Sequence, residues 1–154
     1  MPQLRSDYFG TITYHPGSVI EFPRGLPGFD DQRSFVLIEQ EINKPAVFLQ
    51  SLARPDLCFL ALPAAAVEPG YRLFLSDEDR AVLGVGGQQS PGEEAALLVL
   101  VLVSLAEGRP PTANLLSPVV IHFARRLGVQ SIPSDSPYSH QHPLEAEPAA
   151  APCS

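Results

Sequence analysis

The stretch SFVLIEQEINKPAVFLQSLARPDLCFLAL, residues 34–62, decides the fold class. It contains three short runs rich in Phe, Val, Ile and Leu, at 34–39, 46–52 and 57–62. Turn-forming residues separate these runs, Asn43-Lys44-Pro45 at the first break and Arg54-Pro55-Asp56 at the second. Helices would need longer periodic windows than such closely spaced turns allow. Short strands at a spacing of about 8–12 residues predict an antiparallel sandwich or barrel.

The same pattern continues on both sides of this stretch. Before it we expect strands in FGTITY (9–14) and SVIEF (18–22), and after it a strand in SPVVIHF (117–123) and a further short strand following a turn at Gly128. The Ala and Leu content of residues 95–105, AALLVLVLVSL, would tolerate a helix, but a buried strand is favoured, since valine recurs at every second position and a Gly-Arg-Pro-Pro sequence ends the run.

One segment is predicted to be helical. In SDEDRAVL (76–83), Ser76 and Asp79 form a capping-box-like pair, and the acidic residues of the first turn suit the helix dipole. The glycine-rich residues 84–94 that follow are predicted to be a flexible loop. A chain of 154 residues suffices for one domain with a real core. The prediction is therefore an all-β single domain over residues 1–144, with one or two short helices and a flexible C-terminal tail at 145–154.

Composition and charge exclude several classes of function. A net charge of −7 with only ten lysines and arginines argues against direct nucleic-acid binding. The longest apolar run, residues 95–103, is about half the length that spans a bilayer, so no membrane segment is expected. Two cysteines do not form a disulfide framework, and the first residues lack the apolar region of a secretory signal, which together indicate a cytoplasmic protein.

No pattern of residues indicates an enzyme, a metal site or a cofactor. His140 and His142 alternate, but a metal would need at least one further ligand. Cys58 lies in a predicted strand, and the sequence contains no GxSxG motif. The glycine-rich stretch PRGLPGFDD (23–31) is followed by no GK[ST] motif, and Asp30 and Asp31 would repel a phosphate.

The stretch PRGLPGFDD is better explained as a pair of turns. Gly25 and Gly28 would supply positive φ angles and Pro27 would fix the bend, so these three residues are predicted to be structural. Leu26 and Phe29 are large apolar residues in the same loop. They point either into the core or towards a protein partner, and the sequence alone leaves both directions open.

Five motifs, taken in order, resemble one known family over residues 8–144. They are FPRGLPGFDD (22–31), VFLQSL (47–52), TANLLSPVVI (112–121), GVQSI (128–132) and YSHQHPL (138–144). This set is similar to the flagellar assembly factor FliW family. The family usually has Asn where His122 stands and Ala where Ser117 stands. The resemblance implies a compact β-barrel-like cytoplasmic protein with no enzymatic activity.

The resemblance also implies the partners. Members of the family bind newly made flagellin, and they bind the RNA-binding translational regulator CsrA. When flagellin is scarce, the free factor sequesters CsrA and relieves the repression of flagellin mRNA translation. We therefore expect a monomeric protein that switches between flagellin and CsrA. Two alternatives stay open, a flagellin chaperone without regulator binding and a small-molecule-binding or hydrolytic β-barrel.

The candidate protein-binding residues combine positions that match the family with apolar side chains expected in loops or near the C-terminus. They are Leu26, Phe29, Gln50, Asn114, Tyr138, His142, Pro143 and Leu144. Asn114 is also expected to cap a turn or to bond backbone across the barrel.

Overall fold

The computed structural model describes residues 2–85, 97–133 and 136–144. The strands are β1 (Gln3–Ser6), β2 (Gly10–Thr13), β3 (Ile20–Glu21), β4 (Ser34–Glu39), β5 (Val47–Ser51), β6 (Cys58–Pro63), β7 (Leu97–Ser104), β8 (Thr112–Ala113), β9 (Val119–His122), β10 (Leu127–Gln130) and β11 (His142–Pro143). The helices are α1 (Ala64–Val67) and α2 (Asp77–Leu83), with 3₁₀ turns at Pro16–Ser18 and Glu41–Asn43.

Seven of these strands close into a barrel. The order around the ring is β3, β4, β5, β6, β7, β9 and β10, because β7 pairs with β6 along one edge and with β9 along the other. Every neighbouring pair is antiparallel except β3 and β10, which are parallel and are joined at Glu21 and Leu127. The all-β prediction is confirmed, and of the two predicted architectures the molecule adopts the barrel.

The barrel interior is filled by alternate residues of its strands, as the two-residue period of a strand requires. The buried inward-facing side chains include Ile20, Phe22, Phe35, Val47, Leu49, Ala61, Leu100, Val119 and Ile121. The Phe22 and Phe35 rings meet edge to face with their centroids 5.4 Å apart. Each fully buried apolar side chain of this size stabilises the fold by roughly 1.5–3 kcal/mol relative to exposure.

Two smaller clusters cover the outer faces of the barrel. Leu83 of α2 packs on Val120 and Val129, which face outward from β9 and β10. On another side, Ala64 of α1 packs with Val101 and residues of the β8 strand region. Both helices therefore shield strands whose outward side chains are also apolar.

The predicted helix is confirmed. The Ser76 hydroxyl accepts a hydrogen bond from the Asp79 amide at 3.1 Å, and Gly84 ends α2 with a left-handed φ of 77°. The strands predicted at 34–39 and 95–105 are present as β4 and β7, although residues 95 and 96 lie outside the described residues. The predicted loop, from residue 86 onward, and the predicted tail at 145–154 also lie outside them.

The turn predicted at Gly128 is wrong. The chain turns at residues 123–126, where Arg126 has a φ of 55°, and Gly128 lies within β10. A Cβ atom on Gly128 would come within 2.6 Å of the Phe22 ring. The position therefore needs glycine because the barrel core leaves no space there, and not because the backbone bends.

Candidate protein-binding site

The structure divides the predicted site residues among three places. The GLPGF loop (residues 25–29) closes one end of the barrel, and Gln50 lies beneath the β1–β2 hairpin. The remaining predicted residues lie close together where β8 pairs with β11. Leu26 and Gln50 are buried, whereas Phe29 and the third group are partly exposed.

The loop at residues 22–31 consists of two consecutive turns. The Gly25 amide donates to the Phe22 carbonyl at 2.8 Å, and the Phe29 amide donates to the Leu26 carbonyl at 2.7 Å. Gly25 has a φ of 67° and Gly28 a φ of 85°. In the second turn, Pro27 followed by the positive-φ Gly28 is the pattern of a type II turn, whereas Gly25 is the last residue of the first turn. These angles support the structural role predicted for the two glycines.

The direction of the two apolar side chains in this loop is now defined. Leu26 is 1% exposed and belongs to the barrel core, so the structure corrects its assignment as a contact residue. Phe29 packs edge to face on Phe59, with a centroid distance of 5.6 Å, and the Arg54 guanidinium lies 5.8 Å from its centre. The loop therefore acts as a plug for this end of the barrel, with Leu26 buried in the core and Phe29 half-buried against it.

An ion pair fastens this plug to α2. Arg24, which precedes Gly25, pairs with the buried carboxylate of Asp79. Asp79 thus contributes both its amide to the helix cap and its side chain to the loop. The capping role of Asp79 is visible in the sequence, whereas no sequence signal indicates its pairing with Arg24.

Gln50 is completely buried and has a structural role, which corrects its assignment as a contact residue. Its Oε1 accepts a hydrogen bond from the Ser6 hydroxyl at 2.8 Å, and its Nε2 donates to the Ser51 and Arg54 carbonyls at 3.0 and 3.1 Å. A buried amide is tolerated only when such partners satisfy it. These bonds attach the β1–β2 hairpin, which forms a separate two-stranded sheet, to the barrel.

Asn114 shapes the break between β8 and β9. Its Oδ1 accepts a hydrogen bond from the Ser117 amide at 3.0 Å, and its own amide donates to the Leu102 carbonyl at 2.9 Å. This is the turn-capping role expected for asparagine at such a position. Asn114 therefore stabilises the backbone next to β8, the strand that pairs with β11.

Tyr138 attaches residues 136–144 to the barrel. Its ring stacks on Tyr71 with a centroid separation of 4.5 Å, and its hydroxyl accepts a hydrogen bond from the Arg72 amide at 2.9 Å. The Tyr71 hydroxyl donates to the Leu115 carbonyl at 2.8 Å. Burial raises the pKa of Tyr71 to about 12, so this donor stays protonated at neutral pH.

The HPL motif forms the outermost strand of the sheet. His142 and Pro143 pair with β8 at Ala113 and Thr112, and the Leu144 amide donates to the Pro111 carbonyl at 3.0 Å. In the described part of the chain, no strand pairs with the outer edge of β11. Pro143 is exposed and has no N–H, which suits an edge strand and limits strand addition by another chain.

A groove of about 540 Å³ lies between β11 and α1. Polar and apolar atoms contribute about equally to its surface, and its lining residues are Pro45, Leu62, Ala66, Val67, His142, Pro143 and Leu144. The structure thus brings Asn114, Tyr138 and the HPL motif to one corner, and it places Leu26, Phe29 and Gln50 elsewhere. Sequence reasoning missed the opposite wall, since the alanines of α1 carry no motif.

The arrangement offers contact surfaces and no catalytic centre that we can identify in the described residues. No group of three or more His, Cys, Asp or Glu side chains in residues 2–85, 97–133 and 136–144 is arranged to hold a metal ion. Burial raises the pKa of the Cys58 thiol to about 11, which makes it a poor nucleophile near neutral pH. No helix in these ranges is both long and apolar enough to cross a membrane.

Comparison with known proteins assigns the chain to a family. The family model described as FliW protein matches residues 3–144. The flagellar assembly factor FliW of Desulfitobacterium hafniense (strain Y51) is 34% identical over 150 residues, which covers 97% of this chain and 95% of the relative. That of Natranaerobius thermophilus is 34% identical over 142 residues, covering 92% and 91%.

A solved structure extends this agreement to three dimensions. The crystal structure of the flagellar assembly factor FliW superposes with a TM-score of 0.82 at 30% sequence identity. The match covers 93% of this chain and 96% of the other. Sequence and fold agree over nearly the full length, and the chain belongs to the FliW family of flagellar assembly factors.

Proposed function

We propose that this protein is a non-enzymatic cytoplasmic factor that binds flagellin and sequesters the translational regulator CsrA. Free protein would hold CsrA away from flagellin mRNA and so relieve its repression. Unexported flagellin would occupy the protein and release CsrA. The protein would do this as a monomer, with no contact of its own to RNA.

The observation that supports flagellin binding is the groove between α1 and β11, which presents apolar side chains on both walls. An amphipathic helix is recognised by a groove that accepts its apolar side chains, and the terminal helices expected in unassembled flagellin are of this kind. Val67 and Leu144 supply apolar groups from opposite walls of the groove. Because Pro143 limits the edge strand as a template for strand addition, a helix in the groove fits this surface better.

The observation that supports CsrA binding is the charge of the chain. An RNA-binding protein is basic where it contacts phosphates, and a partner with a net charge of −7 is attracted to such a surface. The acidic partner also repels RNA from it. If flagellin weakens CsrA binding by some factor, CsrA must weaken flagellin binding by the same factor.

Two alanines of α1 provide a matched test of the groove. Ala65 and Ala66 are both exposed, but only Ala66 lines the groove. We expect Ala66→Glu to weaken flagellin binding, measured by isothermal titration, by on the order of tenfold or more. Ala65→Glu adds the same charge to the same helix and should leave the affinity unchanged. Equal effects of the two substitutions would refute the placement of flagellin in this groove.

Titration with labelled CsrA separates the switch from the chaperone alternative. A partner switch predicts that CsrA binds and that saturating flagellin raises its dissociation constant. A flagellin chaperone without regulator binding predicts a flagellin signal and no CsrA signal. If neither protein bound at micromolar concentration, the proposed function would be wrong.

A further inference from the structure

The barrel end opposite the GLPGF loop contains a second cavity, of about 340 Å³. The strand register places the two ends apart, since β4 runs from Phe35 near the plug to Glu39 at the cavity. Most of its lining is apolar, and the lining residues are Ser18, Ile20, Leu37, Glu39, Pro45, Val47, Pro63, Leu98, Leu100, Phe123 and Arg126.

This cavity opens the barrel core to solvent. Phe35 and Leu100 are buried, whereas Leu37 and Leu98, the next inward-facing residues of the same strands, are only partly buried. Ile20 and Leu100, at the base, are each 1% exposed. Interior-facing leucines that remain partly hydrated are a free-energy cost that an apolar ligand would remove.

The segment that precedes β7 supplies no large apolar side chain that could fill the space. Leu98 is the second residue of β7, and the eleven residues before that strand are GGQQSPGEEAA. They include no Val, Leu, Ile, Met or aromatic residue. A ligand from outside is therefore the better candidate to cover these leucines.

The Arg126 side chain places a positive charge at the rim of this cavity. The Arg126 carbonyl accepts a hydrogen bond from the Glu21 amide at 2.9 Å, and the Arg126 guanidinium lies 5.2 Å from the centre of the Phe123 ring. Among the described residues, the Arg126 side chain forms no ion pair and no hydrogen bond to a protein group. No described residue therefore occupies its five N–H donors, and a guanidinium binds a carboxylate in a two-point geometry.

The second charge at the rim, Glu39, opposes an anion only weakly. Glu39 is exposed, so water and salt screen its carboxylate, whereas Arg126 is partly buried and is screened less. The cavity volume corresponds to roughly eleven groups of the size of a water molecule, at about 30 Å³ each. It lies within the range of typical small-molecule sites, about 300–1,000 Å³.

We propose that this end of the barrel binds a small amphiphile, a linear apolar chain of about eight to ten carbons that ends in a carboxylate. The chain covers Leu37 and Leu98, and the carboxylate pairs with Arg126. This site goes beyond the proposed binding of flagellin and CsrA, and it does not depend on that function.

Titration of decanoate into the full-length protein tests the proposal. We expect saturable one-to-one binding by calorimetry, with amide shifts in NMR spectra concentrated at Leu37, Val47 and Leu98. Arg126→Asn should weaken binding by on the order of tenfold. Asparagine is chosen because it tolerates a positive φ. Arg125→Asn is the matched control, because the exposed Arg125 does not line the cavity and its loss should change nothing.

Three further comparisons make the outcome decisive. Decanol has the same chain without the charge and should bind more weakly than decanoate, and Glu39→Gln should strengthen decanoate binding. Leu98→Phe fills the cavity and should abolish binding, with a cooperative melt as evidence of folding and Leu37→Phe as the alternative if that variant unfolds. The proposal is overturned if decanoate does not saturate by about 1 mM, if decanol binds equally well, or if Arg126→Asn binds like the wild type.

Discussion

Two effects would destabilise an alanine at position 25 of the GLPGF loop, a positive φ angle and a close contact with the backbone of Asp30. Alanine substitutions at Gly25 and Gly28 separate these two effects. Gly25 and Gly28 both have positive φ, at 67° and 85°. A Cβ atom on Gly25 would lie 2.6 Å from the Asp30 carbonyl oxygen and 2.7 Å from the Asp30 Cα, whereas a Cβ atom on Gly28 meets nothing within 4 Å. Backbone atoms cannot rotate out of the way as a side chain can, so only Gly25→Ala must displace the plug.

The expected magnitudes follow from these contacts. A left-handed φ costs an L-residue roughly 1–2 kcal/mol, which applies to both variants. Overpacking adds roughly 1–3 kcal/mol at Gly25, where relief of the contact would shift the loop that holds Leu26 in the core. We expect Gly28→Ala to lower the free energy of unfolding by about 1–2 kcal/mol and Gly25→Ala by about 2–5 kcal/mol.

Urea unfolding measured by circular dichroism, with linear extrapolation to water, tests this difference. The melting temperatures should follow, at roughly 2–4 °C per kcal/mol for a chain of this size. If the two variants differ by less than about 0.5 kcal/mol, the close approach to Asp30 does not constrain the loop, and the explanation of Gly25 given above is wrong.

Three further perturbations address other contacts. Gly128→Ala places a methyl group 2.6 Å from the Phe22 ring and should lower the free energy of unfolding by about 1–3 kcal/mol, whereas Gly70→Ala, which meets open space, should change it by less than about 1 kcal/mol. Ser6→Ala removes the hydroxyl that bonds the buried amide beneath the N-terminal hairpin, so limited proteolysis should cut the hairpin faster while the barrel stays resistant. The pKa of Tyr71 is raised from 10.0 to about 12, so its contribution to stability is complete below pH 10 and is lost as the pH rises towards 12. In the Tyr71→Phe variant, the free energy of unfolding measured with urea should therefore fall less between pH 10 and pH 12 than in the wild type.

Elements defined by local signals were predicted well from the sequence. The β4 strand occupies 34–39 as predicted, because alternating apolar residues and flanking turn residues suffice to specify it. The α2 helix begins after Ser76, since an N-cap and its partner three residues later are both contained in one turn. Such interactions involve neighbours in sequence, and a single sequence displays them directly.

Features that depend on distant residues were not predictable in this way. Gly128 carries the usual signal of a turn, yet Phe22, more than a hundred positions away, is the reason for the missing side chain. The direction of Leu26 depends on the space that the barrel end leaves, and the burial of Gln50 depends on where the N-terminal hairpin docks. In each case tertiary packing outweighs the local pattern.

The candidate groove shows the same limit. Its HPL wall was recognisable from a motif, but the facing wall consists of Ala66 and Val67 in a four-residue helix with no side-chain cap. Small apolar residues of this kind are common in every soluble chain. Only the pairing of β11 with β8 brings the two walls together.

The parallel pair between β3 and β10 also determines the order in which a growing chain can complete its fold. During synthesis the N-terminal residues leave the ribosome first, and β3 to β6 can pair in sequence as soon as they emerge. The partner of Glu21 is Leu127, so the other edge of β3 stays bare until β10 has been made. Bare edges pair readily with other chains. A nascent chain that stalls before Leu127 is therefore an open sheet that is prone to aggregation, and only the synthesis of β10 converts it into a closed barrel.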